Sequence, residues 1–84
     1  MTDEQKQQER ERIGARITAV RKTVEWTDEL GIRRRGMTMA QLGERCGIAA
    51  SHIARIEKGR YSVGFDTMQS VAHAMGCRID LIGQ

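Results

Sequence analysis

Between Thr38 and Gly59 the sequence leaves room for little except two short helices joined by a tight turn. Thr38-Met39-Ala40-Gln41 is a capping pattern in which the threonine hydroxyl can accept from the third-residue amide while the glutamine side chain reaches back. Leu42 and Cys46 then supply apolar contacts at helical spacing, and Ala40 and Gly43 are small enough for close approach. Gly47 suits the left-handed residue that ends such a helix. A second helix is predicted from about Ala50 to Lys58, and Gly59 stops it in the same way. The turn between the two has only a few residues, with a glycine where the turn needs one.

The flanks read as further helices. Ile13, Ile17, Val20 and Val24 recur at steps of four, three and four, which lays one apolar stripe along a first helix. Residues 1–12 (MTDEQKQQERER) are polar with mixed charge, so they can extend a helix but have nothing to bury, and they are expected to form a flexible leader ahead of a domain spanning 13–84. A fourth helix carries Phe65, Met68, Val71, Ala72 and Met75 on one face and ends at Gly76. In Arg78-Ile79-Asp80-Leu81-Ile82 the period changes to alternation, which predicts a short strand over 78–82. The expected class is all-α, four to five helices with a C-terminal β-strand.

At 84 residues the chain makes one domain at most. A net charge of +3 says little, but its distribution says more. From Ile32 to Arg60 seven basic residues (Arg33, Arg34, Arg35, Arg45, Arg55, Lys58, Arg60) face two acids (Glu44, Glu57), an excess that attracts a polyanion. Cys46, Cys77, His52 and His73 have no metal-ligand spacing, so no metal or cofactor is expected and the cysteines are read as core packing. His73, on the outer face of the fourth helix, has no evident nucleophile or carboxylate partner, and no catalytic constellation supports an enzyme. One Trp, one Tyr and one Phe are too few for an RNA-stacking platform. No apolar run approaches the ~20 residues of a membrane span and no leader peptide is evident, so a soluble protein of the reducing cytoplasm is expected.

The T-x-x-Q-L-G-x-x-x-G-I block at Thr38–Ile48, the I-x-x-I-E-x-G-R at Ile53–Arg60 and the A-x-A-M-G at Ala72–Gly76 carry a family resemblance. In this order and spacing the chain resembles the lambda-repressor and Cro-like (XRE-type) helix-turn-helix family over residues 13–22 and 36–82. The resemblance implies that the second of the paired helices enters the major groove with Ala50, Ser51, His52 and Arg55 towards the bases. Arg55 can fork onto guanine N7 and O6, a pairing worth about 1–3 kcal/mol of discrimination; the alternative is a solvated charge. Ser51 and His52 can donate or accept, and Ala50 can meet a thymine methyl. Thr38, Lys58, Arg60 and the Tyr61 hydroxyl are expected on phosphates, although Lys58 and Arg60 also suit a helix C-terminus. Arg21 and Glu57 match a partly buried structural ion pair. Two departures stand out: Met39 replaces a phosphate-touching glutamine, and Ala49 replaces a capping Ser or Thr.

Relatives pass from the first helix to the second in a handful of residues, whereas here TVEWTDELGIRRR (23–35) intervenes. With Val24, Trp26, Leu30 and Ile32 this insertion is apolar enough to pack, either as an extension of the first helix or as a hairpin turning near Asp28 to Gly31, which its β-branched residues favour. Arg33, Arg34 and Arg35 would then add phosphate or minor-groove contacts, the alternative being a solvated charge run. A lone strand at 78–82 needs a partner: either a second copy, burying Ile79 and Leu81 in a homodimer on a near-palindromic operator, or the inserted segment. The implied function is a sequence-specific, double-stranded-DNA-binding transcriptional regulator, a repressor acting as a homodimer. The alternative is an antitoxin that neutralises a toxin protein and represses its own operon.

Overall fold

A computed structural model of the chain describes residues 1–83. In chain order the elements are α1 (Asp3–Thr23), β1 (Glu25–Thr27), β2 (Arg33–Arg35), α2 (Met39–Cys46), α3 (Ala50–Glu57) and α4 (Phe65–Ala74). The chain is thus mostly helical, and the expected all-α class is amended by a two-stranded antiparallel hairpin. Among the described residues no helix is long and apolar enough to cross a membrane.

Helix α1 starts far ahead of its apolar stripe because Thr2 and Gln5 form a capping box, Gln5 N donating to Thr2 Oγ1 (3.1 Å) and Thr2 N to Gln5 Oε1 (2.7 Å). Asp3 and Glu4 in the first turn and Arg21 and Lys22 in the last oppose the helix dipole favourably. The polar segment read as a leader therefore lies in α1 from Asp3 onward, and Gln7 Nε2 donates to Gly59 O at 3.0 Å. Farther along, Gly14 lies where α1 meets the end of α3. A β-carbon there would collide with Glu57 O and come within 2.6 Å of Ile56 O, so only glycine permits this approach.

The inserted segment takes the hairpin option. Glu25 pairs with Arg35, Trp26 with Arg34 and Thr27 with Arg33. Asp28 closes the turn: its Oδ1 accepts from Leu30 N and Ile32 N, both at 2.9 Å, and its own amide donates to Ile32 O at 2.9 Å. Trp26 turns inward, 9% exposed, and its indole Nε1 donates to Gly36 O at 2.8 Å. Gly36 N to Val24 O (2.7 Å) and Met37 N to Arg21 O (2.8 Å) bind the hairpin's base to the end of α1.

Helix α2 has the capping box read from Thr38 and Gln41 and ends at Gly47 in the left-handed region (φ 73°). Ala49 precedes α3 without a side-chain cap. Leu42, Ile53, Ile56, Val71, Ala74 and Met75 join Ile17, Trp26 and Met37 in a single core. Phe65, expected on the packing face of α4, is exposed; as the first residue of the helix it lies outside the stripe of Met68, Val71 and Met75 that reaches the core.

The segment 77–83 contains no strand, so the strand expected at 78–82 is absent from the single chain. An isolated strand cannot satisfy its own ladder, and among the described residues the hairpin pairs only with itself. Ile79, Leu81 and Ile82 are left 41%, 97% and 89% exposed.

Candidate nucleic-acid interface

Helix α3 presents two faces. Ile53, Ile56 and Glu57 point inward, while Ala50, Ser51, Arg55 and Lys58 are exposed. The first turn is accordingly uncovered by the rest of the chain, with Ser51 and Arg55 one turn apart on the open side. His52 is half-buried instead. Its ring meets Tyr61 edge to face, centroids 4.6 Å apart at 86°, and its Nε2 is shut away from solvent without a hydrogen-bond partner among the described residues. Arg55 lies over the same tyrosine ring, its guanidinium carbon 5.3 Å from the centroid.

Beyond α3 the chain reverses through a Schellman turn. Gly59 N donates to Ile56 O and Arg60 N to Arg55 O, each at 3.0 Å, with Gly59 at φ 70°. Lys58, Arg60 and Tyr61 emerge exposed from this turn. At the start of α2 Thr38 is exposed too, but its hydroxyl already accepts from Gln41 N at 3.0 Å.

The three hairpin arginines divide by strand alternation. Arg34, opposite Trp26, places its Nε 2.6 Å from Asp28 Oδ2, while Arg33 makes long contacts to Glu25 (3.3 Å) and Thr27 (3.4 Å). Arg35 makes no side-chain hydrogen bond or ion pair among the described residues and is free to meet an anion. The Ile32 amide, followed by the Arg34 guanidinium, holds the Asp28 carboxyl below the ordinary aspartate value of 3.8.

Behind this surface Arg21 and Glu57 form a bidentate pair (Nε to Oε2 2.7 Å, Nη2 to Oε1 2.9 Å). Arg21 Nη1 also donates to Met37 O (2.8 Å) and Thr18 Oγ1 to Glu57 Oε1 (2.7 Å), so the pair ties α1, α3 and the entry to α2 together. Sequence reasoning missed Arg45, whose Nε donates to Ala74 O at 3.0 Å while its guanidinium covers Trp26 at 5.3 Å. No sequence spacing announces that contact, because it depends on where the hairpin folds back. Of the cysteines, Cys46 packs half-buried against the core with its thiol pushed up by burial, but Cys77 is exposed, contrary to the expected core position. It lies just past Gly76, where the packed face of α4 has ended.

The helix-turn-helix family matches residues 32–82, more than half of the chain. The chain belongs to that family, in its lambda-repressor-like (XRE) branch. This helix-turn-helix chain is 33% identical over 70 residues to an immunity repressor protein of Bacillus phage phi105, an alignment that takes in 83% of the chain and 41% of the relative. It thus spans less than half of that protein's length. No solved structure matches it. The family match begins at the hairpin's second strand, so α1 and β1 lie outside it.

Proposed function

We propose that the chain is a sequence-specific DNA-binding transcriptional repressor that inserts α3 into the major groove. The observation that carries this reading is the open N-terminal turn of α3. Had Ala50, Ser51 and Arg55 been covered by the chain itself, no groove could receive them; they are exposed, and cations flank them. In this reading Arg55 forks onto a guanine and Ser51 and Ala50 refine the choice, while His52 is withdrawn against Tyr61 and serves packing. Lys58, Arg60 and Arg35 neutralise phosphates and set the register. The similarity to a phage immunity repressor supports the regulatory role.

A homodimer completes the proposal. The exposed Ile79, Leu81 and Ile82 give the C-terminal segment an apolar edge that a second copy would cover by antiparallel pairing over 78–82. Two α3 helices related by a two-fold axis would then read a near-palindromic operator, with half-sites about 34 Å apart.

Selection of bound sequences from a random duplex pool at fixed salt tests the reading. A recovered palindrome whose key guanine loses its preference on Arg55→Ala supports it; recovery of no preferred sequence sinks it. Sedimentation of an Ile79→Glu/Leu81→Glu variant tests the dimer, since a surviving dimer excludes the C-terminal segment as its interface.

A further inference from the structure

Tyr61 lies outside the helix proposed to read bases, yet it touches two side chains of that helix. Its ring is placed by the Schellman turn after α3, in which Arg60 N donates back to Arg55 O at 3.0 Å. That turn is itself braced against α1. Gln7 Nε2 donates to Gly59 O at 3.0 Å, and a β-carbon on Gly59 would come within 2.8 Å of the Glu11 backbone. The tyrosine is therefore mounted on rigid backbone while remaining 37% exposed.

We infer that Tyr61 is a positioning residue for DNA reading: its ring holds the Arg55 guanidinium over α3 before any duplex arrives. The inference rests on the repressor reading above and extends it. An unsupported arginine on a helix surface samples many rotamers, and the entropy of fixing it is taken from affinity at the moment of contact. With the guanidinium laid on the aromatic face, 5.3 Å from its centroid, part of that ordering is complete in the free protein. His52 is the strut on the other side. Its edge-to-face contact with Tyr61 at 4.6 Å fixes the ring plane, and its enclosed Nε2 cannot take part in hydrogen-bond reading while this packing persists. The role belongs to the ring, whereas a phosphate contact would belong to the hydroxyl, and the two can be separated by substitution.

The test uses the whole chain with Tyr61→Phe and Tyr61→Leu, each also combined with Arg55→Ala. In the free protein, NMR should show the Arg55 side-chain protons shifted upfield by the ring in the wild type and in Tyr61→Phe, and unshifted in Tyr61→Leu. On the duplex selected by the wild type, and on the same duplex with the contacted guanine replaced, Tyr61→Leu should lose about two- to fivefold in discrimination, the fold-change of an exposed cation–π contact. Tyr61→Phe should keep the wild-type ratio, and in the Arg55→Ala background Tyr61→Leu should change nothing further. Thermal melting of each variant separates loss of fold from loss of reading. Positioning is overturned if Tyr61→Leu keeps full discrimination, if Tyr61→Phe loses as much as Tyr61→Leu, or if the free-protein shift is absent. A wild-type chain that selects no duplex sinks the repressor reading, and the reading role of Tyr61 with it.

Discussion

Two arginine–carboxylate pairs of nearly equal length hold different parts of the molecule, and their lengths say almost nothing about their weight. Arg21–Glu57 closes at 2.7 Å and Arg34–Asp28 at 2.6 Å. The first is buried, with side-chain exposures of 8% and 3%, and Thr18 Oγ1 and the Met37 carbonyl add hydrogen bonds to it. In the second, Asp28 is 9% exposed but Arg34 is 47% exposed, so the pair is open on the arginine's side and water competes for its donors. Removing one partner of the buried pair strands a charge where nothing can solvate it; doing the same in the hairpin hands the arginine to solvent. The clamp behind α3 thus fixes how that helix is held, while the hairpin leaves its arginines open to solvent.

The widest separation between the two should come from Glu57→Gln. The variant leaves the Arg21 guanidinium uncompensated in the core, and about 3–5 kcal/mol of stability should be lost. For a domain whose whole stability lies in the range of about 5–15 kcal/mol, that brings unfolding close to ambient temperature. Urea denaturation followed by circular dichroism measures it. Replacing both partners, Arg21→Met with Glu57→Met, should recover much of the loss, because no lone charge then remains buried. A Glu57→Gln protein as stable as the wild type would remove the distinction between the two pairs.

Gly14→Ala strikes the same junction without touching a charge. Its methyl would meet the carbonyls of Ile56 and Glu57, and since the obstacle is backbone it cannot rotate away, so a loss of about 1–3 kcal/mol is expected. A smaller readout sharpens the other side of the comparison. If the hairpin cations serve DNA, Arg35→Ala should reduce the slope of log affinity against log salt by about 0.9, one phosphate's share. Arg34→Ala should reduce it less, because Asp28 already occupies its Nε. Equal slopes for both variants and the wild type would make the hairpin arginines a solvated run.

What the sequence disclosed about these regions follows the range of the interactions. The start and end of α2 were legible because Thr38, Gln41 and Gly47 settle them within a few residues. The hairpin was legible as one of two options, since β-branched residues and a turn near Asp28 to Gly31 are local signals. The family motif made α3's exposed face legible as a set of positions, although the burial of His52 was not, since it depends on a tyrosine that returns only after the Gly59 turn. Residues 3–12 were legible as able to extend a helix but not as held in one, because a capping box, rather than an apolar stripe, starts α1. The segment at 78–82 shows the converse: an alternating pattern states a preference for pairing, and a single chain offers it no ladder.

The smallest effect concerns Asp28, where the exposed pair can be switched off by acid. Its carboxyl titrates below the ordinary 3.8, first because it accepts the Ile32 amide and then because Arg34 stands beside it. A depressed carboxyl contributes its stabilisation in full above the unfolded value of about 3.9 and loses it as pH falls through the folded value. The hairpin turn should therefore loosen only below about pH 4. Hydrogen exchange at the Leu30 and Ile32 amides, which both donate to Asp28 Oδ1, should accelerate there relative to the exchange of α3 core amides such as Ile53 and Ile56. Asp28→Asn keeps an acceptor for those amides and discards the charge, so it should abolish the acid transition at the hairpin and leave the melting temperature near that of the wild type. Were Asp28→Asn instead to unfold the domain as Glu57→Gln should, the surface pair would carry the weight assigned here to the buried one, and burial would no longer be what distinguishes them.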